Sequence, residues 1–388
     1  MAELPILTVG PKGVGRLRAG HPWVYRSDVT GGAGAEPGLA RLADARGKGL
    51  GTALYSPASE IRARRLAPEG VVIDAAWWRA MVAAAVARRA GIADTAYRVV
   101  HAEGDGLPSL VVDRYGDVAV AQLLSAGLEA VRADVVAAIR DVLAPHGLLL
   151  RNDAPVRERE GLRRGVELAF GSVPERVPYA AGDLAWEAHP WHGQKTGAFL
   201  DQRENQALVG TLARPGARAL DLFAYHGGFA LPLARRGAAV TAIDSSADAL
   251  AALAANAAAN RLTVDMVEAN AFDWLSAASP DAARYDVITL DPPAFARDKR
   301  SLGRALAGYK ELNLRAMRLL APGGWLFTAS CSFHVHRGDF FAMLADAAAD
   351  AGRRLALVDI RGASADHPEL LTVPETGYLK AALLRAIG

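Results

Sequence analysis

Residues 218–260 constrain this chain most, because two apolar runs of strand length each stop on an aspartate and each leads into a helix. Ala219-Leu220 runs into Asp221, and Leu222-Phe223-Ala224-Tyr225-His226-Gly227-Gly228 reads as a turn. Helical spacing follows through Phe229, Leu231 and Leu233 and stops at Gly237, where a helix C-cap wants φ > 0. Ala239-Val240-Thr241-Ala242-Ile243 is again short and apolar and stops on Asp244. Ser245 or Ser246 can cap the next helix, which carries Leu250, Leu253 and Ala257. Acids that end successive parallel strands mark the carboxyl edge of an α/β sheet, where such folds bind ligands.

The turn narrows the ligand. A nicotinamide dinucleotide needs G-x-G-x-x-G so that backbone can approach a pyrophosphate, whereas Gly227 and Gly228 are adjacent here and an acid precedes them. That suits a ligand with an amino-acid moiety and a ribose but no phosphate. Asp221 would face the ammonium, Gly227 and Gly228 would admit the ligand against backbone, and Asp244 would accept from both ribose hydroxyls. Bonds to a charged acceptor contribute about 1.5–3 kcal/mol each. S-adenosylmethionine has those parts; a plain α/β half-domain with capping acids also fits these residues.

Two further strand ends belong to the same edge. Residues 285–290 lead into Asp291-Pro292-Pro293-Ala294-Phe295, and consecutive prolines end a strand, so Asp291 projects from its tip. A helix with Leu302, Leu306, Tyr309, Leu312 and Leu320 precedes Gly323-Gly324 and the strand Trp325-Leu326-Phe327-Thr328-Ala329, which ends on Ser330-Cys331-Ser332. A strand cysteine is usually inert packing. Cys331, however, lies at the edge that holds Asp221, Asp244 and Asp291, and His334, His336 and Arg337 follow it. Positive neighbours lower a thiol pKa from about 8.5 toward a usable thiolate. Strands at 264–267, 355–360 and 378–384 would bring the sheet to seven.

At 388 residues, two or three domains are expected. No apolar stretch of about 20 residues is present, so no membrane span is expected, and residues 1–5 lack the pattern of a signal peptide. The single Cys331 excludes an internal disulfide and a cysteine-built zinc site, and no metal is expected. The expected location is the cytoplasm. Residues 1–70 read as a small β-rich unit with ten basic against six acidic residues, including Arg16, Arg18, Arg62 and Arg64. Aromatics interleave that charge at His21-Pro22-Trp23-Val24-Tyr25, a composition suited to RNA, or to a solvated β-domain with Trp23 in its core. Residues 71–185 read as a compact α+β piece. In it Glu103-Gly104-Asp105-Gly106-Leu107-Pro108 is a turn rather than a phosphate loop, and the charge-dense residues 157–164 are expected in solvent.

His21-Pro22-Trp23-Val24 and residues 51–59 resemble a PUA domain of the kind that precedes certain RNA methyltransferases. With Glu103 to Pro108, Phe199-Leu200-Asp201-Gln202-Arg203, Asp221 through Phe229, Asp291-Pro292-Pro293 and Ser330-Cys331-Ser332, nearly the whole chain resembles a known family. These are the bacterial large-subunit ribosomal RNA cytosine-5 methyltransferases of three-domain build. The resemblance implies a PUA-like β-barrel over residues 1–70 and an α+β middle domain over 71–185. It implies a class I, Rossmann-like α/β methyltransferase domain with a seven-stranded sheet over 186–388. It implies S-adenosylmethionine as cofactor and large-subunit (23S) ribosomal RNA as partner, with no membrane; a homodimer is compatible.

By the same resemblance Cys331 is the nucleophile and Asp291 its catalytic partner. Cofactor contacts fall on Phe199, Asp201, Gln202, Arg203, Asp221, Phe223, Tyr225, Gly227, Gly228, Asp244, Ser245, Asn270, Ala271 and Asp291. RNA contacts are expected at Phe295, Lys299 and Arg300, where a core Phe and solvated charges fit as well, and, from local charge, at Arg16, Arg18, Arg62 and Arg64. The chain departs from the family at His226, where Thr is usual, and at Asn270, where Asp is commoner. Two other classes stay open: methyl transfer to guanine N7 or an exocyclic amine without covalent catalysis, and a non-catalytic RNA-binding protein.

Overall fold

The computed structural model describes residues 3–32, 34, 36–278, 284–296 and 299–387, the Lys299 side chain excepted. Proximity of the backbone divides the chain into two compact units. One holds Met1–Tyr179, Ala188–Leu200 and Asp366–Thr376; the other holds Ala180–Glu187, Asp201–Ala365 and Gly377–Gly388.

In the second unit the strands are β1 (Arg218–Leu222), β2 (Ala239–Asp244), β3 (Asp265–Glu268), β4 (Tyr285–Leu290), β5 (Leu320–Ser330), β6 (Leu355–Arg361) and β7 (Lys380–Ala386). Among the described residues they form one sheet in the order β3-β2-β1-β4-β5-β7-β6. The pairs from β3 to β5 are parallel, whereas β7 runs antiparallel to both β5 and β6. β1 pairs with β2 on one side and β4 on the other, so the strand order reverses there and opens a crevice at their carboxyl ends.

The helices are α1 (Arg203–Gly210), α2 (Ala230–Arg235), α3 (Ala247–Ala259), α4 (Ala271–Ala277), α5 (Leu302–Leu319) and α6 (Arg337–Asp350). Local chemistry explains their ends. Ser246 caps α3 by accepting the Ala249 N–H at 3.2 Å, and Gly237 after α2 has φ +86. Leu320, expected on the helix, is instead the first residue of β5. The core joins Leu222, Ile288 and Leu326 of the strands to Tyr309 and Leu312 of α5 and Phe340 of α6. Each such side chain contributes about 1.5–3 kcal/mol when fully buried.

The first unit contains a six-stranded sheet from residues 6–67 and a five-stranded sheet from residues 96–171. The expected boundary near residue 70 does not separate their cores, because Leu54 shares one cluster with Trp78, Val82 and Val100. Most of the charge-dense residues 157–164 are exposed as expected, but Arg157 and Glu160 are buried. Glu160 accepts from Arg64 at 2.9 Å, and Arg157 donates to the Leu123 carbonyl and pairs with Glu129 at 3.0 Å. Opposite charges that satisfy one another can leave water. Glu103 to Pro108 is a turn: Gly106 has φ +72, and the buried Asp105 accepts from Arg89 and from the His101 N–H. A two-stranded ribbon pairs Val177–Ala181 with Leu184–Ala188. No helix among the described residues is long and apolar enough to cross a membrane.

Candidate active site at the carboxyl edge of the sheet

The turn after β1 is strained. Phe223 has φ +64 and Tyr225 φ +47, conformations that cost side-chain-bearing residues roughly 1–3 kcal/mol each. Gly227, at φ +94, meets the same demand with a residue that tolerates it. The Ala224 N–H donates to the Ile243 carbonyl at 3.0 Å, and Tyr225 N–H donates to Asp244 Oδ2 at 2.9 Å. The acid at the tip of β2 therefore holds the strained backbone beside it. Its other oxygen accepts from the Ser246 N–H at 2.9 Å, and the residue stays half-exposed. A Cβ on Gly228 would lie 2.4 Å from Gln206 Nε2 of α1, so that side chain closes over the turn.

Asp221, expected to face the ammonium, is enclosed by protein groups. It is 1% exposed, and its two oxygens accept from Thr289 Oγ1 at 2.5 Å and the Ala230 N–H at 2.9 Å. The carboxylate thus ties β1 to β4 and to the start of α2. Burial pushes its pKa up to about 7; the bonds from Thr289 and Ala230 oppose the rise, and the charges of Asp291 and Asp244 add to it.

β4 ends at Leu290, and Asp291 stands half-buried before the two prolines. Cys331, half-exposed directly after β5, places Sγ 4.0 Å from the Pro292 carbonyl. The two turns are also joined through Ser332. Its Oγ accepts the Ala296 N–H at 3.2 Å and lies 2.8 Å from the Tyr309 hydroxyl. Burial raises the Tyr309 pKa, and a charge on Cys331 raises it further, against hydrogen bonds to Ser330 and Ser332. One cation near Cys331 lies outside the set His334, His336 and Arg337 that the residue pattern singled out. Lys380 of β7 is the register partner of Ser330 and donates to the Ser332 carbonyl at 2.6 Å. Burial lowers its pKa to about 8, with Cys331 acting to raise it and Arg337 to lower it further. His336 caps α6 with Asp339.

The remaining expected contacts divide. Asn270 is exposed and caps α4, its oxygen accepting the Phe272 N–H at 2.9 Å, so its amide NH₂ is the group left facing outward. Ala271 is buried in the first turn of that helix, and Ser245 is exposed beside Asp244. Asp201 and Gln202 are buried: Asp201 accepts from the Tyr378 hydroxyl at 2.6 Å, and Gln202 accepts from Asn205 at 2.6 Å. Arg203 lies 3.7 Å from Glu204. Phe199 belongs to the first unit, where the Lys195 ammonium is 4.3 Å from its ring centroid. Phe295 packs its ring 4.6 Å from that of Tyr309, Arg300 is exposed, and the Lys299 side chain lies outside the described residues.

In the first unit Arg18 is exposed, Arg62 half-buried, and Arg16 is paired with Asp28 and lies 4.5 Å over the Tyr25 ring. Arg64 is a correction. Its guanidinium is buried against Glu160 and has no surface to offer a phosphate.

Thr289, Tyr309, Ser332 and Lys380 are the members of the site that sequence reasoning passed over. Lys380 did carry a signal, as a lone charge in the apolar run Leu379-Lys380-Ala381-Ala382-Leu383.

A family described as PUA-like domain matches residues 7–68, and one described as S-adenosylmethionine-dependent methyltransferase matches residues 183–385. A protein of Klebsiella pneumoniae named ribosomal RNA large subunit methyltransferase I is 35% identical, over 95% of this chain and 94% of that one. A Deinococcus radiodurans protein named ribosomal RNA large subunit methyltransferase is 38% identical over the same shares. Among solved structures, a chain described as a SAM-dependent methyltransferase from Streptococcus mutans superposes with a TM-score of 0.83 at 21% identity, covering 98% of this chain and 100% of its own. A methyltransferase structure complexed with SAH gives 0.84 at 22% identity, with the same coverage. At those identities the two structures speak for the fold.

Proposed function

The chain belongs to the S-adenosylmethionine-dependent methyltransferases, and on that premise we propose that it methylates C5 of a cytidine in large-subunit ribosomal RNA through a covalent bond to Cys331. The RNA class rests on the names of relatives that match along almost their whole length. The position and chemistry rest on one observation: the only cysteine of the chain sits at the tip of β5 with Sγ 4.0 Å from the Asp291-Pro292-Pro293 turn.

The residues at the crevice fit the cofactor. Asp244 is half-exposed and accepts from backbone N–H groups, with lone pairs remaining for a vicinal diol. The outward amide of Asn270 can donate to a ring nitrogen of an adenine. When bound, the sulfonium supplies an electrophilic methyl group.

Cytosine C5 is a poor nucleophile, and Cys331 would correct that. Its thiolate adds to C6, forming an S–C6 bond and turning C5 into an enamine carbon. Asp291, at the tip of β4, hydrogen-bonds the N3/N4 edge and stabilises charge that develops there. C5 takes the methyl group, then loses its proton to a base, and the returning electron pair expels the thiolate. The target must leave its stack to reach such a pocket. Arg300 beside it, and Arg18 and Arg62 in the PUA-like segment, are the cations available to phosphates.

The test uses RNA with 5-fluorocytidine at the target. Fluorine cannot leave as the C5 proton does, so wild type should stall as an adduct that migrates more slowly under denaturing conditions. Cys331→Ala should fold, bind S-adenosylhomocysteine, form no adduct and transfer no methyl group. Substantial methylation by Cys331→Ala would overturn the covalent reading in favour of transfer to an amine or N7.

A further inference from the structure

The tip of β5 is surrounded by groups of both signs. Lys380 reaches it from β7, Arg337 from the start of α6, Tyr309 from α5, and Asp291 from the tip of β4; His334 and His336 follow in the loop after Cys331. Among these, Lys380 is buried and held at two carbonyls. The residue is 4% exposed, and its ammonium donates to the Ser332 carbonyl at 2.6 Å and the Tyr378 carbonyl at 2.8 Å. An ammonium has three donors, and among the described residues the third has no hydrogen-bond acceptor. A buried cation with an unspent donor is costly unless an anion faces it.

We propose that Lys380 is a positioning residue for the reaction, its ammonium fixed against the Ser332 carbonyl so that Cys331 is held as the thiolate. This rests on the covalent reading of Cys331, and it names what makes that thiol a nucleophile. The antiparallel pairing of β5 with β7 supplies the geometry: Ser330 faces Lys380 in register, and Cys331 is the next residue. The charge of Lys380 is poised for the role, since burial lowers its pKa to about 8 and a negative Cys331 acts to restore it. Ammonium and thiolate therefore support each other. A lysine that only tied off two loop carbonyls would leave the thiol unchanged, which separates the two roles.

Cys331 is the only cysteine, so alkylation by iodoacetamide, followed by intact mass across roughly pH 5.5 to 10, reads its ionisation directly. Wild type should titrate below the ordinary thiol value of about 8.5. Lys380→Gln keeps a donor for the carbonyls but loses the charge, and should be alkylated about tenfold more slowly at pH 7, the effect of one unit of thiol pKa. Lys380→Arg should restore most of the rate. An unchanged profile in a folded Lys380→Gln, or a wild-type thiol at 8.5 or above, overturns the proposal; the second result needs no variant to fold. These readouts involve no methyl transfer. Failure of the covalent reading would show separately, as methylation by Cys331→Ala.

Discussion

Asp221→Asn tests how the buried acid of β1 is used. The carboxyl has a pKa of about 7 in the folded chain against an ordinary 3.8, because burial disfavours its charge. The unfolded chain releases this proton well before the folded one does. The stability that the protonated group supports is therefore complete below about pH 3.8 and is lost as pH rises through about 7. For one group with those two values, the loss between pH 5 and pH 7 is on the order of 2 kcal/mol. Asparagine has nearly the same shape, can accept the Ala230 N–H, can donate to Thr289 Oγ1, and does not titrate. Urea unfolding at the two pH values should therefore show the variant gaining about 2 kcal/mol on wild type as pH rises. A stability difference that is the same at both pH values, or that moves the other way, would refute the argument. Calorimetric titration with S-adenosylhomocysteine should give nearly equal affinities. A folded variant that loses more than about tenfold would show that the carboxylate faces the ligand after all.

Asp244→Ala should weaken binding of S-adenosylhomocysteine at least tenfold, about 1.4 kcal/mol, because it removes the ribose acceptor and frees the strained Tyr225 N–H. Unchanged affinity would remove Asp244 from the site. Arg64→Ala should cost about 3–5 kcal/mol of stability by leaving Glu160 buried without its charge partner. Arg18→Ala, at an exposed position, should leave stability within about 0.5 kcal/mol and weaken RNA binding. Chemical denaturation and RNA titration of the two variants check the split, and equal effects on RNA binding would return Arg64 to the interface.

What was legible in the residues was whatever is written locally. The alternation of apolar runs with helical spacing located β1, β2, β4 and β5, and the two prolines after Asp291 ended β4 where expected. Adjacent glycines and acids at strand ends pointed to a cofactor class, and the resemblance along the rest of the chain chose it. What could not be read was burial. Asp221 and Asp244 look equivalent in the sequence, yet one is enclosed by Thr289 from β4 and the other stands at the surface. Arg64 counts as positive charge until Glu160, distant in sequence, is seen to meet it. Lys380 stands out in the sequence as a lone charge in an apolar run, but only antiparallel pairing shows that it lies beside Ser330.

That pairing also sets an order of events. β6 precedes β7 in the chain, but β5 and β6 do not pair with each other; β7 lies between them and bonds to both. During synthesis β6 must wait for a strand not yet made, with Leu357, Val358 and Ile360 as side chains that stay exposed even in the finished sheet. When β7 inserts, it closes the sheet and delivers Lys380 to Ser330 in the same movement. If Lys380 holds Cys331 as proposed, a ribosome-bound chain would carry an ordinary thiol until the sheet is complete.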